Sequence, residues 1–203
     1  AGNGNATLAF ARRGCHVTST DYVDALLARG RMRAEAEALQ VDYRIADAEQ
    51  LPFADGQFDA VVSTFGVMFT PNQAKAAGEL MRTCRPGGKI GLANWTPEGF
   101  IGQVFKTLGR HVPPPAGVAS PAQWGSKAWI DEHFGAKAKD ISFEKTAFVF
   151  RYRSAETFMD IFRTYYGPVH KAFLSLDAGA QSRLHDDLMA TIKGFETATD
   201  GSM

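Results

Sequence analysis

Two hydrophobic periods alternate along the first half of the chain. Leu8, Ala9 and Ala11 lie at helical spacing, and Arg12-Arg13-Gly14 closes that run with a glycine stop. Cys15 to Thr20 reads as a short strand ending at an acid, Asp21. Tyr22 to Gln40, rich in Ala, Leu and Arg, predicts a helix with a candidate break at Gly30, and Glu35 and Glu37 on its solvated face. Val41 to Ala46 alternates with period two, and Phe58 to Ser63 is the apolar, β-branched run expected of a buried parallel strand. Pro71 to Thr83 predicts a helix stopped by Arg85-Pro86-Gly87-Gly88, and Lys89 to Asn94 predicts the next strand. Strands and helices alternating at this interval predict an α/β fold with a mostly parallel sheet covered on both faces.

The pattern changes past Trp95. Thr96 to Gly125 is rich in Gly and Pro, with a short helix led by Gly99 to Gly102 and then Pro113-Pro114-Pro115. Ser126 to Phe134 predicts a helix, Ile141 to Tyr152 alternates as a strand, and Ser154 to Gly194 predicts helix interrupted at Gly167-Pro168. Nine of the fifteen Phe fall between Phe100 and Phe173, which suggests a helical, aromatic-rich cap. The reading is one domain, with a sheet half over residues 1–95 and the cap, a remaining strand and C-terminal helices over 96–203. The chain opens inside a glycine turn, so a first strand ahead of that turn is expected to be missing. Asp200-Gly201-Ser202-Met203 looks like a turn feeding a last strand, also missing.

The opening stretch carries the chemistry. Gly2-Asn3-Gly4, a helix, a strand and the strand-end Asp21 match the nucleotide-binding half of an open α/β sheet. The glycines allow close backbone approach, and the carboxylate can accept ribose hydroxyls. Thr7 stands where a dinucleotide loop has its third glycine, so the turn suits a smaller group, such as the amino-acid end of S-adenosylmethionine (SAM). Lys+Arg and Asp+Glu each number 22. That balance leaves no basic footprint for nucleic acid. No apolar run approaches the roughly 18 residues of a membrane span. Cys15 and Cys84 read as reduced thiols of a cytoplasmic protein, and no His, Cys or Asp set has metal-ligand spacing.

Gly2-Asn3-Gly4, Asp21, Asp47-Ala48-Glu49-x-Leu51-Pro52-Phe53, the Phe58-Asp59 strand and Arg85-Pro86-Gly87-Gly88 occur in that order. Together they resemble a class I SAM-dependent methyltransferase of the ubiquinone/menaquinone-type branch, over roughly residues 1–95. The resemblance implies a three-layer, Rossmann-like methyltransferase fold, with Gly2, Asn3 and Gly4 against the methionyl group and Asp21 followed by Tyr22 on the ribose. It implies that Asp47, Ala48 and Glu49 lie at the adenine edge, and that backbone of Ser63, Thr64 and Phe65 faces the cofactor.

Methyl transfer from a sulfonium is an in-line displacement with a neutral leaving group, so alignment and water exclusion dominate. A base is required only when the acceptor must lose a proton. His111, Tyr165, Tyr166 and His170 are the candidates for that base, and Trp95, at a strand's carboxyl end, is the candidate contact for a small apolar or aromatic acceptor. Ser63-Thr64-Phe65-Gly66 does not match the [D/N/S]-P-P-aromatic motif of enzymes that methylate DNA bases or glutamine. The carboxylates of the metal-dependent catechol branch are absent as well. Two alternatives stand beside this reading. One is a SAM-binding module without catalysis. The other is an NAD(P)-dependent oxidoreductase, against which stand Thr7 and the absence of any Tyr-x-x-x-Lys. Oligomeric state is open.

Overall fold

The computed structural model describes residues 1–203, which divide into two compact units, Ala1–Asn94 with Ala128–Lys139, and Trp95–Lys127 with Asp140–Met203. In the first unit, α1 (Asn5–Ala11) leads into β1 (Val17–Asp21), then α2 (Asp24–Ala36) and β2 (Val41–Ile45). β1 and β2 pair in parallel, with Asp21 opposite Ile45. β3 (Phe58–Thr64), α3 (Gln73–Thr83) and β4 (Cys84–Ala93) form a second parallel pair, with Thr64 opposite Ala93. α5 (Lys127–Phe134) completes the helices that reach this unit.

The strands therefore form two parallel pairs instead of one continuous sheet. β3 hydrogen-bonds to β4 alone, and Val62 is 40% exposed although its run reads as fully buried. A strand with one neighbour and helix cover on one face leaves alternate side chains in solvent. Asn72 caps α3 by accepting the Lys75 N–H at 3.0 Å, and Ala76, Ala77 and Leu80 form its buried stripe.

Two predicted boundaries shift. α2 runs through Gly30 unbroken. A Cβ there would lie 3.1 Å from the Tyr43 ring, so this glycine permits close packing and does not end the helix. β4 begins at Cys84, earlier than expected. Phe58 pairs with Cys84, Ala60 pairs with Lys89, and Arg85-Pro86-Gly87-Gly88 bulges out between them. A Cβ on Gly88 would stand 2.8 Å from the Asp59 carbonyl, which explains glycine at that position.

In the second unit α4 (Phe100–His111) packs on α8 (Ala178–Phe195), with α6 (Ala155–Tyr165) and α7 (Gly167–Leu174) alongside. Its core is an aromatic cluster. Phe158 stacks on Phe162 at 3.9 Å and meets Phe150 at 5.7 Å and Phe100 at 5.4 Å. Ile141 to Tyr152 forms no strand, contrary to its alternation. A strand exists through a neighbour's backbone groups, and here only Tyr152 exchanges a bond pair, with Met203, at 2.6 and 3.0 Å.

Candidate functional site

The carboxyl ends of the strands in the first unit bring most of the predicted residues together. Gly2 and Gly4 take φ of +59° and +91°, a region costly for other residues. A Cβ built on Gly2 would meet nothing within 4 Å, so the space above the turn is open to a ligand. Asp21 sits beside that turn with its side chain 14% exposed. Its Oδ2 accepts the Gly2 N–H at 2.7 Å and the Ala1 amine at 2.9 Å, and its Oδ1 accepts the Val23 N–H at 2.9 Å. Burial disfavours its charge, but the bonds from Ala1, Val23 and Gly2 outweigh that and hold the carboxyl below its ordinary value. Tyr22 follows, 77% exposed.

The Asp47 turn adjoins this edge, because the Ala46 N–H donates to the Asp21 carbonyl at 3.0 Å. Asp47 Oδ1 accepts the Glu49 N–H at 2.8 Å, closing an Asx turn that presents the half-buried Ala48. Glu49 Oε1 accepts the Asn72 N–H at 2.7 Å, which ties this turn to the start of α3 and hence to the end of β3. There Ser63 Oγ accepts the Val67 N–H at 3.1 Å, Thr64 ends the strand, and Phe65 holds a left-handed φ of +52°. A non-glycine residue in that region stores strain, and such strain concentrates at functional sites.

Supporting contacts that the sequence does not announce hold the site from behind. Thr7 Oγ1 and Ser19 Oγ lie 2.9 Å apart in the core, which gives the threonine at the third glycine position a structural role. Arg33 of α2 donates to the Asn3 carbonyl at 2.9 Å and to Asn5 Oδ1 at 2.8 Å. Gly4 would place a Cβ 3.4 Å from the Gly30 Cα, so turn and helix meet backbone to backbone. Beneath them the Tyr43 hydroxyl is buried without a hydrogen-bond partner. No period or motif marks Ser19, Arg33 or Tyr43, and the supporting roles of Thr7 and Gly30 appear only in the packing.

The four candidate bases lie in the second unit and are not hydrogen-bonded to one another through their side chains. His111 Nε2 lies 2.8 Å from Asp187 Oδ2, joining α4 to α8. His170 Nδ1 is bonded to the Arg163 carbonyl at 2.9 Å, and Tyr165 is 81% exposed. The Tyr166 hydroxyl is buried without a partner, its ring 4.8 Å from Phe162. Trp95 packs 5.9 Å from Phe150 and 6.1 Å from Phe148, within the aromatic cluster. No three His, Cys, Asp or Glu side chains converge as a metal site would require, and no helix is long and apolar enough to cross a membrane.

Comparison with known proteins bears on the fold and the family. The methyltransferase domain family matches residues 1–92. An uncharacterized protein of Mycobacterium tuberculosis is 42% identical over 87% of this chain and 65% of its own length. The chain thus spans about two thirds of that relative. A second M. tuberculosis protein is 36% identical over all of this chain and 75% of itself. Demethylmenaquinone methyltransferase of Thermus thermophilus is 35% identical over 64% of this chain and 61% of its own. Among solved structures, YcgJ from Bacillus subtilis aligns with a TM-score of 0.62 at 18% identity, over 98% of this chain and 75% of that one. The [4+2]-cyclase SpnF aligns at 0.56 and 19% identity, over 99% and 69%. The family match leaves no place for the NAD(P) reading, and the open glycine turn with Asp21 beside it fits the family's methyl donor, SAM. With the ordered motifs, this fold and these relatives in agreement, the chain carries over residues 1–92 the methyltransferase domain of the class I SAM-dependent family, and it is similar to the branch that includes demethylmenaquinone methyltransferase.

Proposed function

We propose that the protein transfers a methyl group from SAM to a small apolar or aromatic acceptor in the cytoplasm. The observation that carries this reading is the Asp21 carboxylate, ionised beside an open glycine turn and joined to it through the Gly2 N–H at 2.7 Å. Gly2, Asn3 and Gly4 would hold the methionyl end, Asp21 and Tyr22 the ribose, Asp47, Ala48 and Glu49 the adenine, and the backbone of Ser63, Thr64 and Phe65 the inner face. When bound, SAM supplies a methyl group on a positively charged sulfur. The chain's own part is to orient the acceptor, exclude water and, for an acceptor bearing a proton, remove it. The concentration of nine Phe between Phe100 and Phe173 supports an apolar or aromatic acceptor. Zero formal charge supports a small molecule over nucleic acid.

Fold alone does not choose between transfer and binding without transfer, since one structural neighbour is named a [4+2]-cyclase. Titration with S-adenosylhomocysteine in a calorimeter, with NADH as control, tests the cofactor. Micromolar binding that Asp21→Ala weakens by about 10–100-fold is expected, with none for NADH. Absence of binding to the folded protein refutes the proposal. Transfer of labelled methyl to a panel of phenols and quinols then separates an enzyme from a binding module.

A further inference from the structure

We infer that Arg82 is a positioning residue that sets the Asp47–Phe53 turn, and through it the discrimination of adenine from other bases. The inference rests on the proposed role of Asp47 and Ala48. Arg82 and Glu79 stand three residues apart on α3 and form a fork: Nε donates to Glu79 Oε1 at 2.7 Å and Nη2 to Oε2 at 2.8 Å. The guanidinium then reaches across to the turn. Nη2 donates to the Leu51 carbonyl at 3.0 Å, and Nη1 donates to the Phe53 carbonyl at 2.7 Å and to Asp55 Oδ1 at 2.8 Å. Glu79 Oε2 in turn accepts the Leu51 N–H at 2.7 Å, and the Arg82 carbonyl accepts the Gly56 N–H at 2.8 Å.

A guanidinium has five N–H donors. All five are engaged by groups of the protein, so Arg82 has none left for a ligand and acts only through the turn it holds. The pair is largely shielded, with side-chain exposures of 31% for Arg82 and 16% for Glu79, so its geometry is held more firmly than that of a surface ion pair. Lysine could not replace it: a point charge with three donors cannot span two carbonyls and two carboxylates in one plane. Glu49, bonded to the Asn72 N–H, ties the near end of the turn to the same helix. α3 therefore sets where Asp47 and Ala48 stand at the end of β2.

The test compares calorimetric affinities of the full chain for S-adenosylhomocysteine and S-inosylhomocysteine, which differ only in the base. Arg82→Lys and Glu79→Gln are expected to lower the preference for the adenine ligand by about tenfold, leaving affinity for the inosine ligand nearly unchanged. Asp47→Ala is expected to lose the same preference. Equal weakening of both ligands, or a full preference retained in both α3 variants, overturns the inference. Should only the α3 variants keep the preference, Arg82 alone loses its role; should Asp47→Ala keep it too, the adenine reading of the turn falls and the inference with it. Asp55→Ala, which removes a single exposed bond, serves if Arg82→Lys does not fold.

Discussion

Replacing Tyr166 by Phe should stabilise the second unit. Tyr166 joins α6 to α7, and its ring packs 4.8 Å from Phe162 and 6.4 Å from Phe105. The hydroxyl is shielded from solvent and has no partner, and burial pushes its proton affinity well up. A buried polar group left unsatisfied costs about 1–3 kcal/mol. Phe keeps every ring contact and removes only that oxygen, whose lost dispersion contacts offset a fraction of the gain. The net expectation is about 1–2 kcal/mol of added stability. For a chain of this size about 2–4 °C accompanies each kcal/mol, so the melting midpoint should rise by about 2–8 °C. Differential scanning calorimetry with urea titration measures it. Tyr165→Phe is the control: that side chain is 81% exposed and should shift stability by less than about 0.5 kcal/mol. An unchanged or lower midpoint for Tyr166→Phe would refute the reasoning, because it would mean that the hydroxyl is bonded in solution.

Three further outcomes follow from the same geometry. Gly102→Ala should cost about 3 kcal/mol or more, since its Cβ would fall 2.1 Å from the Thr96 carbonyl, whereas Gly78→Ala in α3 meets nothing within 4 Å and should gain about 0.5–1 kcal/mol; urea midpoints decide both. Asp21→Ala should weaken S-adenosylhomocysteine binding by about 10–100-fold, the worth of a charged hydrogen bond, as read by titration. The folded Asp21 carboxyl is depressed, so its contribution to stability is present above the ordinary carboxylate value and lost as pH falls through the lower folded value. Stability should therefore climb as pH rises from below the lowered folded value to the ordinary carboxylate value, and Asp21→Asn should flatten part of that climb in acid unfolding curves.

Much of the site is legible in the sequence because its signals are local. Gly2, Gly4, Asp21 and the Asp47 turn can be read from the chain, since a glycine turn, a strand end and an Asx turn each depend on residues a few positions apart. The same holds for the helices, whose bonds run within one segment. Tertiary structure decides whatever needs a distant partner. Ile141 to Tyr152 alternates like a strand but has only Met203 to pair with, at Tyr152. Gly30 looks like a helix break until Tyr43 and the glycine turn are packed against it. Arg82 is one arginine among many in the sequence; its role appears only when the fold brings Leu51, Phe53 and Asp55 within reach of one guanidinium. Local patterns can specify an element because its hydrogen bonds close within it. A site's supporting groups are chosen by contacts between elements, and no period along the chain records those.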